Sequence, residues 1–338
     1  MTNVQHAKYR HRLPQLDGGL FLTDGGLETT LIYHDGFDLP MFEAFTLVES
    51  ERGRAALRAY YDRYVSMAAS HGNGFILESP TWRANPDWGA KLGLDRDRLA
   101  AVNRAAIDML REIRAACETK RMPLVISGAI GPRGDGYDPG APMSPWEAEA
   151  YHAWQVGVLK DAGADLVSAF TLTNVNEAIG VARAAKAEDI PCVISFTLET
   201  DGRLPSGESL AKAIAAVDRA TDRGPAYYMI NCAHPAHFSD ALEDGAAWTK
   251  RLGGLRANSS RKSHAELDNS TELDEGHPQE LGEHYAELLR RFPHINALGG
   301  CCGTDHRHVE CISASCRGAS HTVGAQSLSN TLPCHRPA

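Results

Sequence analysis

At 338 residues, with 43% hydrophobic and 23% charged content, the chain has the balance of a folded globular protein able to bury a large core. Its formal net charge of −9 argues against nucleic acid or an anionic membrane as partner. The N-terminal Met1-Thr2-Asn3-Val4-Gln5-His6 lacks the apolar segment of a secretory signal, and no apolar run reaches the roughly 18 residues of a membrane span, so a cytoplasmic protein is expected. The eight cysteines (Cys117, Cys192, Cys232, Cys301, Cys302, Cys311, Cys316 and Cys334) are spread over a chain too long for a small disulfide scaffold. They read as thiols kept for metal binding or packing.

In chain order, Phe21-Leu22-Thr23 is a short strand ending in the turn Asp24-Gly25-Gly26. Residues 51–71 carry Leu57, Tyr61, Tyr64 and Ala68 on one helical face and stop at Gly72. Phe75-Ile76-Leu77 is a strand that runs into Glu78-Ser79-Pro80, and residues 97–117 form the next helix. Pro123 to Ser127 is a third strand, followed by a Gly/Pro/Asp-rich loop from Gly131 to Pro142. Ser144-Pro145-Trp146-Glu147 has the pattern of a capping box with proline at the first helical position.

Strands are then expected at 166–170, 192–196, 227–231, 255–258 and 295–298. The helices between them are expected at 174–186, 208–222, 238–251 and 278–292, with Thr304 capping a last one. The strands are short continuous apolar runs, as parallel strands buried on both faces should be. Eight β/α units in about 300 residues point to an α/β fold, a single-domain (β/α)₈ TIM barrel spanning 1–316. No Gly-x-Gly-x-x-Gly follows the first strand, which disfavours an open dinucleotide-binding sheet. Residues 317–338, rich in Ser, Gly, His and Pro, are expected to form a flexible tail.

Such barrels carry their active sites at the C-terminal ends of the strands. There lie Cys232, on the sixth strand, and the adjacent Cys301 and Cys302, on the eighth, inside Gly299-Gly300-Cys301-Cys302-Gly303. Neighbouring cysteines rarely bridge each other, and the flanking glycines let both sulfurs aim at one point. Three thiolates leave a tetrahedral Zn²⁺ one open position, the mark of a catalytic site. An anionic tris-thiolate zinc is a poor activator of water but holds a further thiol as thiolate. These ligands therefore favour alkylation of a substrate thiol over hydrolysis. His234, two residues past Cys232, is a weaker candidate as a fourth ligand.

The motifs Thr23-Asp24-Gly25-Gly26, Ile230-Asn231-Cys232 with Pro235, and Gly299 to Gly303 make the chain resemble the zinc-dependent homocysteine S-methyltransferases, over about residues 18–316. The family includes the betaine–homocysteine and S-methylmethionine–homocysteine enzymes. The resemblance implies Zn²⁺ on Cys232, Cys301 and Cys302. It also implies an amino-group site at Asp24 and carboxylate binding by Gly25 and Ser79. The expected reaction is methyl transfer from a sulfonium or quaternary ammonium donor to a small thiol, homocysteine, giving methionine.

One departure stands out. The family usually carries a glutamate at the end of the fourth strand, and this chain has Phe170. Glu78, at the end of the second strand, is the expected replacement. Trp82, Arg83 and Asn258 are candidates for the donor side, tryptophan as a face for a cation and arginine as a carboxylate partner. Two alternatives stay open: methylation of a different small thiol, and a zinc- or thiol-binding barrel without transfer activity.

Overall fold

Eight parallel strands close in sequence order: β1 (Phe21–Leu22), β2 (Gly74–Glu78), β3 (Leu124–Ile130), β4 (Leu166–Leu172), β5 (Cys192–Phe196), β6 (Tyr227–Asn231), β7 (Leu252–Ala257) and β8 (Ala297–Gly300). The computed structural model describes residues 7–268, 270 and 272–317. The seam of the barrel is β8, which pairs with β7 (Gly254↔Ala297) and with β1 (Phe21↔Ala297). The helices are α1 (Leu27–Thr29), α2 (Glu51–His71), α3 (Pro86–Lys91), α4 (Arg96–Cys117), α5 (Pro145–Ala162), α6 (Val175–Ala187), α7 (Leu210–Thr221), α8 (Pro235–Phe238), α9 (His264–Asp268), α10 (Pro278–Arg291) and α11 (His306–Cys316). The fold is the expected (β/α)₈ barrel.

Local chemistry accounts for the helix ends. Ser50 accepts from Gly53 N (3.0 Å), and Gly72 closes α2 at φ 69°. Ser144 and Glu147 cap α5 reciprocally, and Asn174 accepts from Glu177 N (3.0 Å) to start α6.

Three boundaries differ from the sequence reading. The helix expected at 238–251 is instead the short α8 with 3₁₀ turns at Ser239–Ala241 and Thr249–Arg251. Between 239 and 251 only Leu242 and Thr249 are buried, so no apolar stripe holds a long helix to the barrel. β7 begins at Leu252, because Leu252 and Gly254 pair into the ladder around a register shift at Gly253, with no apolar run to announce them. Asp305, not Thr304, caps α11, accepting from Arg307 N (2.9 Å). The Thr304 hydroxyl instead donates to Cys301 O (2.7 Å). The expected tail lies, from 318 onward, outside the described residues.

Side chains alternate along each strand. Ile76, Val125, Leu166, Val193 and Met229 belong to the apolar cluster inside the barrel. Two residues further on stand Glu78, Ser127, Ser168, Ser195 and Asn231, all buried. On β7 the same step leads from Gly254 to Arg256. The interior therefore turns polar at its C-terminal end, beneath the loops.

Candidate active site

The three cysteine sulfurs converge at this end, all within 4.8 Å of one another. Carbonyls of β7 set two of the backbones: Cys232 N donates to Arg256 O (3.1 Å) and Cys301 N to Ala257 O (2.8 Å). The Cys232 and Cys301 sulfurs are in direct contact, with Cα atoms 5.5 Å apart. Cys302 Sγ lies 3.9 Å from Cys232 Sγ and is exposed. The donor set is three soft sulfurs around one point, a set that fits zinc when reduced.

His234 stands apart from the sulfurs. Its Nδ1 accepts from Ala236 N (3.1 Å), and burial lowers its imidazole to about 4, so it serves α8 as a neutral cap.

Two residues beside the sulfurs hold left-handed backbone, Cys232 (φ 52°) and Thr171 (φ 61°). A β-branched residue there is strained, by about 1–3 kcal/mol. Asn231 fixes it. Its Oδ1 accepts from Thr171 N (2.9 Å) and from the Ser195 hydroxyl (2.6 Å), and its Nδ2 donates to Thr171 Oγ1 (2.9 Å).

The sulfurs open onto a cavity of about 300 Å³ that is lined by Asp24, Gly25, Glu78, Ser79, Trp82 and Arg83 as well as by Phe170. Asn258 is buried and is not part of that lining. Gly25 sits so close to the Tyr64 hydroxyl that a Cβ would stand 2.8 Å from it. Ser79 Oγ accepts from Ala129 N (2.9 Å). Arg83 lies over the rings of Trp88 (3.6 Å) and Trp82 (4.5 Å), so part of the tryptophan surface already carries a cation.

Two loops cover the cavity. Tyr137, from the loop after β3, packs on His264 of α9, with ring centroids 4.2 Å apart. Its hydroxyl lies 3.4 Å from Cys302 Sγ, and His264 Nε2 donates to Cys232 O (2.6 Å).

Arg256 and Glu28, two charged residues lining the cavity, were not among the expected site residues. Arg256 Nη1 pairs with Asp24 Oδ1 at 2.6 Å. Burial opposes the guanidinium's charge, but Asp24 and Glu78 more than offset it and raise its pKa. The Tyr60 hydroxyl donates to Asp24 Oδ2 (3.0 Å). Burial raises Glu78 to about 7, against the pull of Arg256 and the Ser127 hydroxyl, and raises Glu28 to about 7 as well. The sequence signal for Arg256 is its place two residues past Gly254 on an inward-facing phase. Glu28 and Tyr137 belong to a short turn and a loop, which have no periodicity to read.

The sequence profile of the homocysteine S-methyltransferase family matches residues 21–316. Homocysteine S-methyltransferase 3 of Arabidopsis thaliana is 23% identical, over 88% of this chain and 89% of its own length. Homocysteine S-methyltransferase of Escherichia coli (strain K12) is 28% identical, over 69% of this chain and 77% of its own. Among solved structures, the homocysteine methyltransferase MmuM from Escherichia coli aligns in its oxidized form with a TM-score of 0.70 (23% identity, 87% of this chain and 95% of that one). Its metallated form aligns with a TM-score of 0.69 (23% identity, 89% and 98%). With nearly the whole barrel inside the match, the chain belongs to the homocysteine S-methyltransferase family and is a methyltransferase.

Proposed function

We propose that the protein moves a methyl group from a sulfonium or quaternary ammonium donor to a small thiol, with zinc held by Cys232, Cys301 and Cys302. The observation that carries this reading is the convergence of three sulfurs within 4.8 Å at the wall of a cavity large enough for a small acceptor and the methyl end of a donor. Zinc, when bound, would keep the acceptor thiol ionised at neutral pH, so no further base is needed. The metallated form of the similar Escherichia coli enzyme supports a metal at such a site.

The chain's own residues supply the rest. Asn231 and the strained Thr171 fix where Cys232 points, and Tyr137 stands against Cys302. Exposed carboxylates in the two loops, Asp135 and Glu272, line the cavity where an onium donor would enter. Trp82 offers that donor an aromatic face, and Ser79 and Gly25 offer polar contacts to the acceptor.

Homocysteine is the acceptor in the family's name and the first to be tested. Phe170 on β4 and the Asp24–Arg256 pair favour a second reading, in which the acceptor is a different small thiol.

Protein purified under reducing conditions should carry about one zinc per chain and methylate a thiol when offered a panel of onium donors. Cys301→Ala and Cys302→Ala should each abolish turnover and strip most of the metal, read by elemental analysis. Metal-free wild-type protein with a harmless Cys301→Ala would overturn the reading.

A further inference from the structure

Arg256 sets what the deep end of the cavity recognises. Asp24 is already doubly engaged, Oδ1 by Arg256 (2.6 Å) and Oδ2 by the Tyr60 hydroxyl (3.0 Å). A substrate cation arriving there would also have to approach the Arg256 guanidinium that pairs with this carboxylate. Burial holds the other two carboxyls at this depth, Glu28 and Glu78, toward their neutral forms. Phe170 presents an apolar ring, its centroid 5.1 Å from the guanidinium.

Arg256, by contrast, keeps donor capacity. Nη1 faces Asp24 Oδ1 (2.6 Å) and Thr23 Oγ1 (2.8 Å), and Nη2 donates to Gly25 O (3.3 Å), which uses three of its N–H groups. A guanidinium carries five N–H groups in a planar fork that matches a carboxylate. The ladder register sets Arg256 opposite Asn231, the residue before Cys232, and opposite Gly299, two before Cys301. The guanidinium and the three cysteines line the same cavity, so one small molecule can meet both.

We propose that the acceptor is a short thiol carboxylic acid without an α-ammonium group, its carboxylate seated on Arg256 and its sulfur at the cysteine cluster. This rests on the methyl-transfer reading above. The acceptor thiol gives its proton to solvent. Its sulfur then forms the new S–CH₃ bond as the CH₃–S⁺ bond of a sulfonium donor breaks, and that electron pair stays on the donor sulfur. The products are a methylthio acid and a neutral thioether.

The test has a turnover arm and a binding arm. Zinc-loaded, reduced protein is given S-methylmethionine with either homocysteine or mercaptobutyrate, which is the same skeleton without the amino group. Separately, calorimetry on metal-free protein compares methylthiobutyrate with methionine. Mercaptobutyrate should be preferred in kcat/KM, and methylthiobutyrate in affinity, by at least about tenfold, the scale of leaving one ammonium without a partner.

Arg256→Lys, which keeps a cation opposite Asp24 but not the planar fork, should weaken binding of both acids while keeping most of the selectivity. The double variant Arg256→Met with Asp24→Asn leaves neither charge stranded and should abolish it. Equal or better binding of methionine by the wild type would overturn the proposal, as would selectivity that survives in the double variant. If no thiol is methylated but methylthiobutyrate still binds tightly and selectively, the transfer reading fails and the Arg256 site stands. If homocysteine is methylated best, the reverse holds.

Discussion

Glu78 is pulled two ways: burial raises its carboxyl, while Arg256 and the Ser127 hydroxyl lower it, and the balance rests at about 7. The folded protein therefore keeps a proton that the unfolded chain releases near the ordinary glutamate value. Folding stability should fall as pH rises between about 4.5 and 7, by at most about 3 kcal/mol. Glu78→Gln should flatten that slope, measured by denaturant titration across the range. The thiols differ by the same physics. Burial pushes Cys192 and Cys316 up to about 12, whereas Cys302 is exposed. In reduced, metal-free protein at pH 8, an alkylating reagent should label Cys302 within minutes and spare Cys192 and Cys316 until the fold is lost, read by peptide mass mapping.

These residues also mark how far the site was legible. The sulfurs could be read because adjacent cysteines between glycines are unusual and a strand count places them. Arg256 could not, because β7 begins three residues earlier than its apolar run, which hid the inward phase of its side chain.

Among the elements, β4 and β6 are linked across β5 at a point of backbone strain. Asn231 spends three hydrogen bonds on Thr171 and Ser195, two of them holding Thr171 at its unfavourable φ. Asn231→Ala should cost about 2–4 kcal/mol and raise the KM for the thiol by letting Cys232 turn. The checks are equilibrium unfolding and steady-state kinetics. At α5 the cap is solvent-facing and simpler, so Ser144→Ala should cost about 1 kcal/mol. The sequence announced such caps directly, because a serine, a proline and a glutamate at fixed spacing act locally. It could not announce the collapse of the 238–251 helix, which depends on whether a barrel surface exists for that segment to cover.

At the scale of the whole molecule, one clamp ties the late loops together. Asp305 binds Arg307 (2.6 Å) and His308 (3.1 Å), and Glu275 of the loop after β7 shares Arg307 (2.7 Å). Burial alone would raise the Asp305 carboxyl, but hydrogen bonds from His308 and Arg307 bring it well below its usual range. Its contribution is present above the ordinary aspartate value and is lost as pH falls toward the folded one. Asp305→Asn should lower the melting temperature at pH 7 by a few degrees and make the acid side of the Tm–pH curve shallower.

The seam at β8 has a consequence for how the protein is made. Asp24 belongs to the first strand's turn, while its partner Arg256 and all three sulfurs come from the last three strands. A ribosome must deliver nearly the whole barrel before any of this chemistry exists. No shorter nascent chain holds the complete sulfur cluster, and Asp24 must wait for its guanidinium until β7 arrives.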